Sequence, residues 1–317
     1  MKILITGSSG FIGYHVAKRL LEQGHTVIGI DNENDYYDVA LKQARRKELQ
    51  KSSQFFFCPI SIENLPDIEK VFSDHVIDKI IHLAAQAGVR YSLINPYAYI
   101  QTNIVWFHNI IELAKNHKVK NFVYASSASV YGNNTKMPFA VGDKTDEPLS
   151  LYGATKKSNE LIAHSYSFYF GLPTMWLRFF NVYGPWGRPD GAFFIFLRGV
   201  LTQTPIDVFN EGKTIRNFTY IDDVVEGILK ALNHETTYDI FNLWNTTTVT
   251  LNNMISHIEK ACGMTTQRNF LPADKADISE SWVDIQHTAD VLWWTPGVDI
   301  ETGIMKLVQR YREFYHL

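Results

Sequence analysis

Residues 2–13 read KILITGSSGFIG, and the fold turns on how that stretch is taken. KILIT is a short apolar run of strand type, and from Phe11 onward the pattern is helical. Between them Gly7, Gly10 and Gly13 are spaced Gly-x-x-Gly-x-x-Gly. Glycine lets the backbone turn tightly and lie close to a pyrophosphate, to which a helix N-terminus offers unpaired N–H groups. A glycine triplet alone can be a simple turn. Here it follows a strand and opens a helix, the context that a dinucleotide turn requires. Gly7, Gly10, Phe11, Ile12 and Gly13 are therefore the candidate phosphate contacts.

The second strand-like run, TVIGI at 26–30, leads into Asp31, eighteen residues after Gly13. A carboxylate in that place accepts from both hydroxyls of an adenosine ribose and repels a 2′-phosphate. Asn32 follows with no arginine beside it, so the pattern selects NAD over NADP.

Working outward, apolar runs at 2–6, 26–30, 55–57, 79–84, 121–126 and 173–180 alternate with helical stretches, notably 11–23, 97–117 and 151–170. That rhythm predicts an α/β fold, a Rossmann-type doubly wound parallel sheet whose strands are buried on both faces. After Phe180 the rhythm changes. NVYGPWGRPDGAFF, 181–194, reads as a long structured loop of the kind that carries function. Beyond it the sequence predicts helices at 193–203, 251–262 and 300–316, and strands at 206–209, 217–221 and 239–243. Asp222 is placed to cap the helix that follows it. The division expected is a dinucleotide domain over 1–180 and a smaller C-terminal α/β substrate domain over 181–317, with parts of 215–245 able to rejoin the first sheet.

Hydrophobic residues make up 45% and charged residues 20% of 317, with a net charge of −3. This is the balance of an ordinary globular chain, without a basic footprint for nucleic acid or an anionic membrane. The charged cluster from Lys42 to Lys51 reads as a solvated face. Two cysteines, Cys58 and Cys262, are too far apart in sequence to suggest a disulfide framework or a metal site. No run reaches the roughly 18 apolar residues of a membrane span, and the chain opens directly on a strand, so a cytoplasmic protein is expected.

A second stretch carries chemistry. In LYGATKKSNE, 151–160, Tyr152 stands four residues ahead of Lys156, on one helix face. A phenol with a pKa near 10 serves as a base at neutral pH only if its anion is stabilised by about 4 kcal/mol. A neighbouring ammonium supplies part of that. The spacing alone is weak, since Tyr14 and Lys18 share it. Context separates the two pairs. Ser126, Ser127 and Ser129 lie at the carboxyl end of the fifth strand, where open parallel sheets bind ligands. Tyr152 follows Ser127 by 25 residues.

With these pieces in place the chain resembles the extended short-chain dehydrogenase/reductase family of nucleotide-sugar enzymes, over nearly its whole length. It is most similar there to the UDP-glucuronate 4-epimerases of capsule type, through DNENDYYD (31–38), HLAAQAGVRYSLINP (82–96), LYGATKKSNELIAHSY (151–166) and RFFNVYGPWGRPDGAFF (178–194). The resemblance implies tightly held NAD, with Lys156 on the nicotinamide ribose, Tyr152 as the acid/base and Ser127 on the reacting hydroxyl. It implies oxidation of a UDP-sugar at C4, rotation of the 4-keto sugar and reduction on its other face. It places Ile60, Leu83, Ala84, Ala85, Asn103 and Phe180 on the cofactor. Ser129 and Asn181 fall near the sugar and diphosphate, Arg216 on a phosphate and Phe209 on the uracil ring. Arg90 and Arg188 are the candidates for the sugar carboxylate or diphosphate, and His82 reads as a core residue. No metal is implied.

The family's dehydratases carry an Asp-Glu pair after the catalytic hydroxyl, and its uronate decarboxylases a glutamate at the position of Ser129. Here Ala128 and Ser129 stand there, which favours simple epimerisation. Other positions depart from the pattern: Cys58-Pro59 for Gly-Asp after the third strand, Ala128 for Ser, Asn181 for Thr, Asn217 for Asp, and Asp274 for Arg or Gln. Ala128 and Asn181 keep a neutral UDP-hexose open as the substrate. A non-catalytic NAD-binding sensor is the alternative of another class, against which the intact Tyr/Lys pair counts. The resemblance also implies a homodimer formed through helices like 97–117 and 151–170, although the sequence shows no exposed apolar patch by itself.

Overall fold

The computed structural model describes residues 1–272 and 282–317, so the expectation for Asp274 lies outside the described residues. Six strands follow one another in the first half: β1 (Lys2–Thr6), β2 (Thr26–Ile30), β3 (Phe55–Cys58), β4 (Lys79–His82), β5 (Phe122–Ser127) and β6 (Thr174–Phe179). Between them run α1 (Phe11–Glu22), α2 (Val39–Leu49), α3 (Leu65–Asp74), the short α4 (Tyr91–Ile94) and α5 (Pro96–Ile100), α6 (Trp106–Asn116) and α7 (Leu151–Phe170). The second half holds β7 (Asn181–Tyr183), α8 (Ala192–Thr202), β8 (Ile206–Phe209), β9 (Ile215–Tyr220), α9 (Ile221–Asn233) and β10 (Tyr238–Asn242). It closes with β11 (Thr248–Thr250), α10 (Leu251–Cys262), β12 (Arg268–Leu271), α11 (Gln286–Leu292) and α12 (Ile300–Tyr315).

Seven strands form one parallel sheet in the order β10-β6-β5-β4-β1-β2-β3. The order reverses between β1 and β4, which opens a crevice at their carboxyl ends. Alternate residues of one strand feed opposite cores. Ile3 and Ile5 join the cluster under α1 and α9, whereas Leu4 joins the cluster of α3 and α6. This is why these strands read as unbroken apolar runs. Two smaller sheets lie beside the large one, β11-β9-β7 and β12-β8.

Several local expectations change. Residues 97–117 do not form one helix, because a five-residue π-helical turn, Gln101–Val105, separates α5 from α6. The stretch 181–194 is not all loop, since Asn181–Tyr183 pairs with β9 and α8 begins at Ala192. Asp222 is not a cap: α9 begins one residue earlier, on an extended Tyr220, which leaves Asp222 in the first turn. Lys42 to Lys51 is not simply a solvated face. Lys42 and Arg45 on α2 are buried, held by loops that the chain supplies from elsewhere. The surface also shows apolar side chains that periodicity did not mark: Leu93, Ile94 and Tyr97 on α4 and α5, and Phe168 and Tyr169 near the end of α7.

Candidate active site

The glycine turn is closed by its own backbone. Gly7 donates to the Ile30 carbonyl at 2.8 Å, and Gly10 donates to the Gly7 carbonyl at 3.0 Å. A side chain at Gly13 would put its Cβ 2.0 Å from the Gly7 oxygen, so only glycine lets α1 come this close to the turn. The helix begins without a side-chain cap, at an extended Gly10. Its first N–H groups therefore remain for a ligand. Asp31, just past β2, accepts from Ser9 N–H at 3.0 Å and from Glu33 N–H at 2.8 Å. Burial raises its pKa, and the Glu33 hydrogen bond pulls it back. A carboxylate has acceptor capacity left after two such bonds, enough for a ribose diol. Of the α2 cations on this side, Arg46 is taken by Glu33 at 2.9 Å, and Lys42 on the cavity wall is taken by Asn34 at 2.6 and 2.7 Å. The residues present thus fit an unphosphorylated dinucleotide.

Helix α7 brings the phenol to the serines. Ser150 caps it by accepting from Gly153 N–H at 3.0 Å, and a Cβ on Gly153 would lie 2.6 Å from the Ser129 carbonyl. That close approach seats the first turn of α7 against the end of β5. Tyr152 hydrogen-bonds with Ser127, whose oxygen also accepts from Ser129 N–H at 3.1 Å. Burial raises the Tyr152 pKa above its ordinary value, while Ser127 and then the charge of Arg188 lower it. Lys156 donates from Nζ to the Ala125 carbonyl at 2.8 Å, and burial brings its pKa down to about 8.

Behind these groups stands a buried network that no motif announced. Glu160, one turn beyond Lys156, accepts from Ser126 Oγ at 2.6 Å and from Arg178 at 3.0 and 2.9 Å. Arg178 also donates to Tyr131, which donates to Asn242 at 2.8 Å. One anion–cation pair therefore joins α7, β5, β6 and β10. A carboxylate four residues after the lysine is the only sequence signal for it.

Gly7, Gly10, Phe11, Ile12, Gly13, Asp31, Asn32, Ile60, Leu83, Ala84, Ala85, Ser127, Tyr152, Lys156, Phe180 and Arg188 line one cavity of about 340 Å3. The sequence reading missed Tyr36, Tyr37, Lys42, Gln86 and Trp106 on its wall. The aromatic pair that closes DNENDYYD was the available sign. Asn103 lies behind the wall, where its amide clamps the Gln86 backbone at 2.9 and 3.0 Å and donates to Thr155 at 3.1 Å. Arg90 and Phe209 come together, the guanidinium 5.5 Å from the ring centroid. Asn181 donates to the Asn217 carbonyl at 3.3 Å, and Arg216 to the Ile215 carbonyl at 2.8 Å. None of these, nor Ser129, borders that cavity. Arg188 is bound in a fork to Asp190. Ala128 is buried in an apolar cluster with Val130, Tyr131 and Trp244.

Two further readings are settled by packing. Tyr14 is a core residue against Trp186, with its pKa pushed up to about 12 by burial. His82 is buried, shares a 2.8 Å hydrogen bond with Thr6 and is pushed down to about 3 by desolvation. It is neutral and in the core. Cys58 is half-buried with its thiol pKa raised by burial. Among the described residues no cluster of His, Cys, Asp or Glu could hold a metal, and no helix is long and apolar enough to cross a membrane.

Comparison with known proteins places this geometry. Protein CapI of Staphylococcus aureus is 44% identical, over 99% of both chains. A probable UDP-glucuronate 4-epimerase of Rhizobium meliloti is 41% identical, over 99% of this chain and 98% of the other. Among solved structures, the UDP-glucuronic acid 4-epimerase of Bacillus cereus in complex with UDP-glucuronic acid and NAD matches with a TM-score of 0.91 and 34% identity, over 99% and 100% of the two chains. The UDP-glucose 4-epimerase of Thermotoga maritima with UDP-glucose matches with a TM-score of 0.90 and 31% identity, over the same shares. Residues 3–243 match the model of the NAD dependent epimerase/dehydratase family. With its glycine turn, ribose-side carboxylate and Ser-Tyr-Lys group on one cavity, the chain belongs to that family.

Proposed function

We propose that this protein is an NAD-dependent UDP-sugar 4-epimerase that interconverts UDP-glucuronate and UDP-galacturonate. The observation that carries this reading is the convergence of Ser127, Tyr152 and Lys156 with the glycine turn and Asp31 on a single cavity. Bound NAD supplies reversible oxidation at C4 of the sugar. Gly7 to Gly13 and the start of α1 hold the pyrophosphate, Asp31 the adenosine ribose, and Lys156 the second ribose. Ser127 holds the sugar hydroxyl, and Tyr152 takes its proton and later returns it. Preorganised charge around a buried phenol acts more strongly than the same charge in water. The large sheet thus serves the dinucleotide, and the segments around β7, β8 and β9 serve the nucleotide sugar.

The test is incubation with UDP-glucuronate and separation of the C4 epimers. Absence of UDP-galacturonate would refute the uronate reading. A second reading, a neutral UDP-hexose as substrate, is favoured by the buried methyl of Ala128 and by Asn181 engaged with Asn217. UDP-glucose run in parallel decides between them.

Homodimerisation, a cytoplasmic setting and a role in polysaccharide synthesis complete the proposal. The first is supported by the surface. Tyr97 is 80% and Phe168 75% exposed, with Ile94 and Tyr169 similarly open, on α4, α5 and the end of α7. An apolar face of this kind is what a second copy covers.

A further inference from the structure

Arg45 of α2 has no solvent exposure, yet its hydrogen bonds go to neutral acceptors. One terminal nitrogen donates to the Ser9 carbonyl at 3.0 Å and to the Tyr37 hydroxyl at 2.9 Å. The other donates to the carbonyls of Trp186, at 2.5 Å, and Gly187, at 3.1 Å. Burying a guanidinium costs several kcal/mol unless its hydrogen bonds are well made, and an apolar residue of similar size often serves stability as well. What an apolar residue cannot do is hold two separate backbone segments and a tyrosine hydroxyl in register.

Those backbones belong to the two halves of the site. Ser9 lies within the glycine turn and Tyr37 on the cavity wall. Trp186 and Gly187 immediately precede Arg188, which lines the cavity. Trp186 has a φ of 60°, a left-handed conformation that a bulky residue keeps only when its surroundings impose it. A second tether acts on the same loop. His15 of α1 is kept neutral by burial and donates from Nε2 to the Pro185 carbonyl at 2.9 Å. Arg188 in turn lies 5.8 Å from the Tyr36 ring centroid and is close enough for its charge to act on Tyr152.

We propose that Arg45 is a positioning residue for the nucleotide-sugar side of the site: it locks the 186–187 backbone to the glycine turn and thereby sets where Arg188 meets the substrate. This rests on the functional reading above, with the dinucleotide on the turn and the UDP-sugar beyond Tyr152. Cofactor turn and sugar loop then move as one unit, and any coupling between the two ligands is reciprocal.

The test uses the full chain loaded with NAD and the variants R45K, R188Q and R45K/R188Q. Thermal midpoints check folding, calorimetry gives the Kd for the UDP-sugar, and KM and kcat are measured separately. Lysine keeps the charge but cannot reach both sides of the lock. R45K is expected to raise Kd and KM by about tenfold, as for one lost charge-assisted hydrogen bond, with kcat nearly unchanged. In the double variant the loss should not exceed that of R188Q alone, which a general loosening of the fold would not produce. A folded R45K with the original Kd, or full additivity with R188Q, overturns the proposal. Should R45K not fold, H15F keeps the ring but removes the donor to Pro185 and so releases the same loop from its other tether, and an unchanged Kd there overturns it equally. A protein that binds UDP-sugars but yields no epimers sinks the catalytic reading alone, because the binding arm still scores Arg45.

Discussion

Lys156 donates to the Ala125 carbonyl at 2.8 Å, so the ammonium that distinguishes the Tyr-x-x-x-Lys pair is anchored to the end of β5. Burial brings its pKa from 10.5 to about 8. The first prediction follows from that value. Below pH 8 the amine is charged, and above it the field that favours the phenolate fades, so kcat should fall as pH rises through about 8. The effect of this group on stability has the opposite sign. Between 8 and 10.5 the unfolded chain binds the extra proton, so folding gains from this group as pH rises. Circular dichroism should therefore stay native while turnover drops. A kcat that is flat to pH 9.5 contradicts this.

Tyr152→Phe removes the proton acceptor and leaves the ring in place. Turnover should fall by about 10²–10⁴-fold, the usual worth of a general base, while the Kd for the UDP-sugar changes little. Calorimetry and single-turnover assays separate the two effects.

Glu160 and Arg178 are 0% and 2% exposed as side chains and form a forked pair. Removing one partner strands the other charge, so Glu160→Gln or Arg178→Met should each cost about 3–5 kcal/mol of stability. The double variant E160Q/R178M should regain part of that. Denaturant midpoints check both statements. Glu160 holds Ser126, the neighbour of Ser127, and shares α7 with Tyr152, so kcat should fall alongside stability.

Asp31→Asn should weaken NAD binding by about tenfold to a hundredfold, the range for a hydrogen bond to a charged group. It should not admit NADP, because Glu33 still occupies Arg46. Only D31N/E33Q frees that guanidinium, and NADP titration of the two variants should show binding in the second alone.

Charge placed on the apolar face tests the assembly. Wild-type protein is expected to run at twice the chain mass in light scattering, and Ile94→Lys with Phe168→Asp at the single mass. A monomeric wild type would remove the homodimer from the proposal.

How much of this could be read from residues alone divides along a physical line. Strands β1, β2 and β8 and helices α7 and α10 match their expected spans to the residue, because buried parallel strands and capped helices carry local signals. The glycine turn, Asp31 and the Ser-Tyr-Lys group were legible for the same reason, since each is a short motif at a sheet edge. Arg45 was not. Its charge reads as solvated until Trp186 and Gly187, some 140 positions away, fold over it. The Glu160–Arg178 pair and the Arg90–Phe209 contact were hidden likewise, because each joins segments that only the tertiary fold brings together. Asp222 misled because a good capping residue sat two positions past the extended Tyr220, after the helix had already begun at Ile221.

One of the two edge strands of the large sheet, β10, comes from residues 238–242, after the chain has left to build β7, β8 and β9. During synthesis, then, β6 leaves the ribosome with one hydrogen-bonding edge bare, and that edge stays bare until the later strand arrives. Exposed strand edges are templates for wrong pairing. A chaperone, or a pause in translation, has its window of usefulness there, and a chain truncated before residue 238 would carry that open edge permanently.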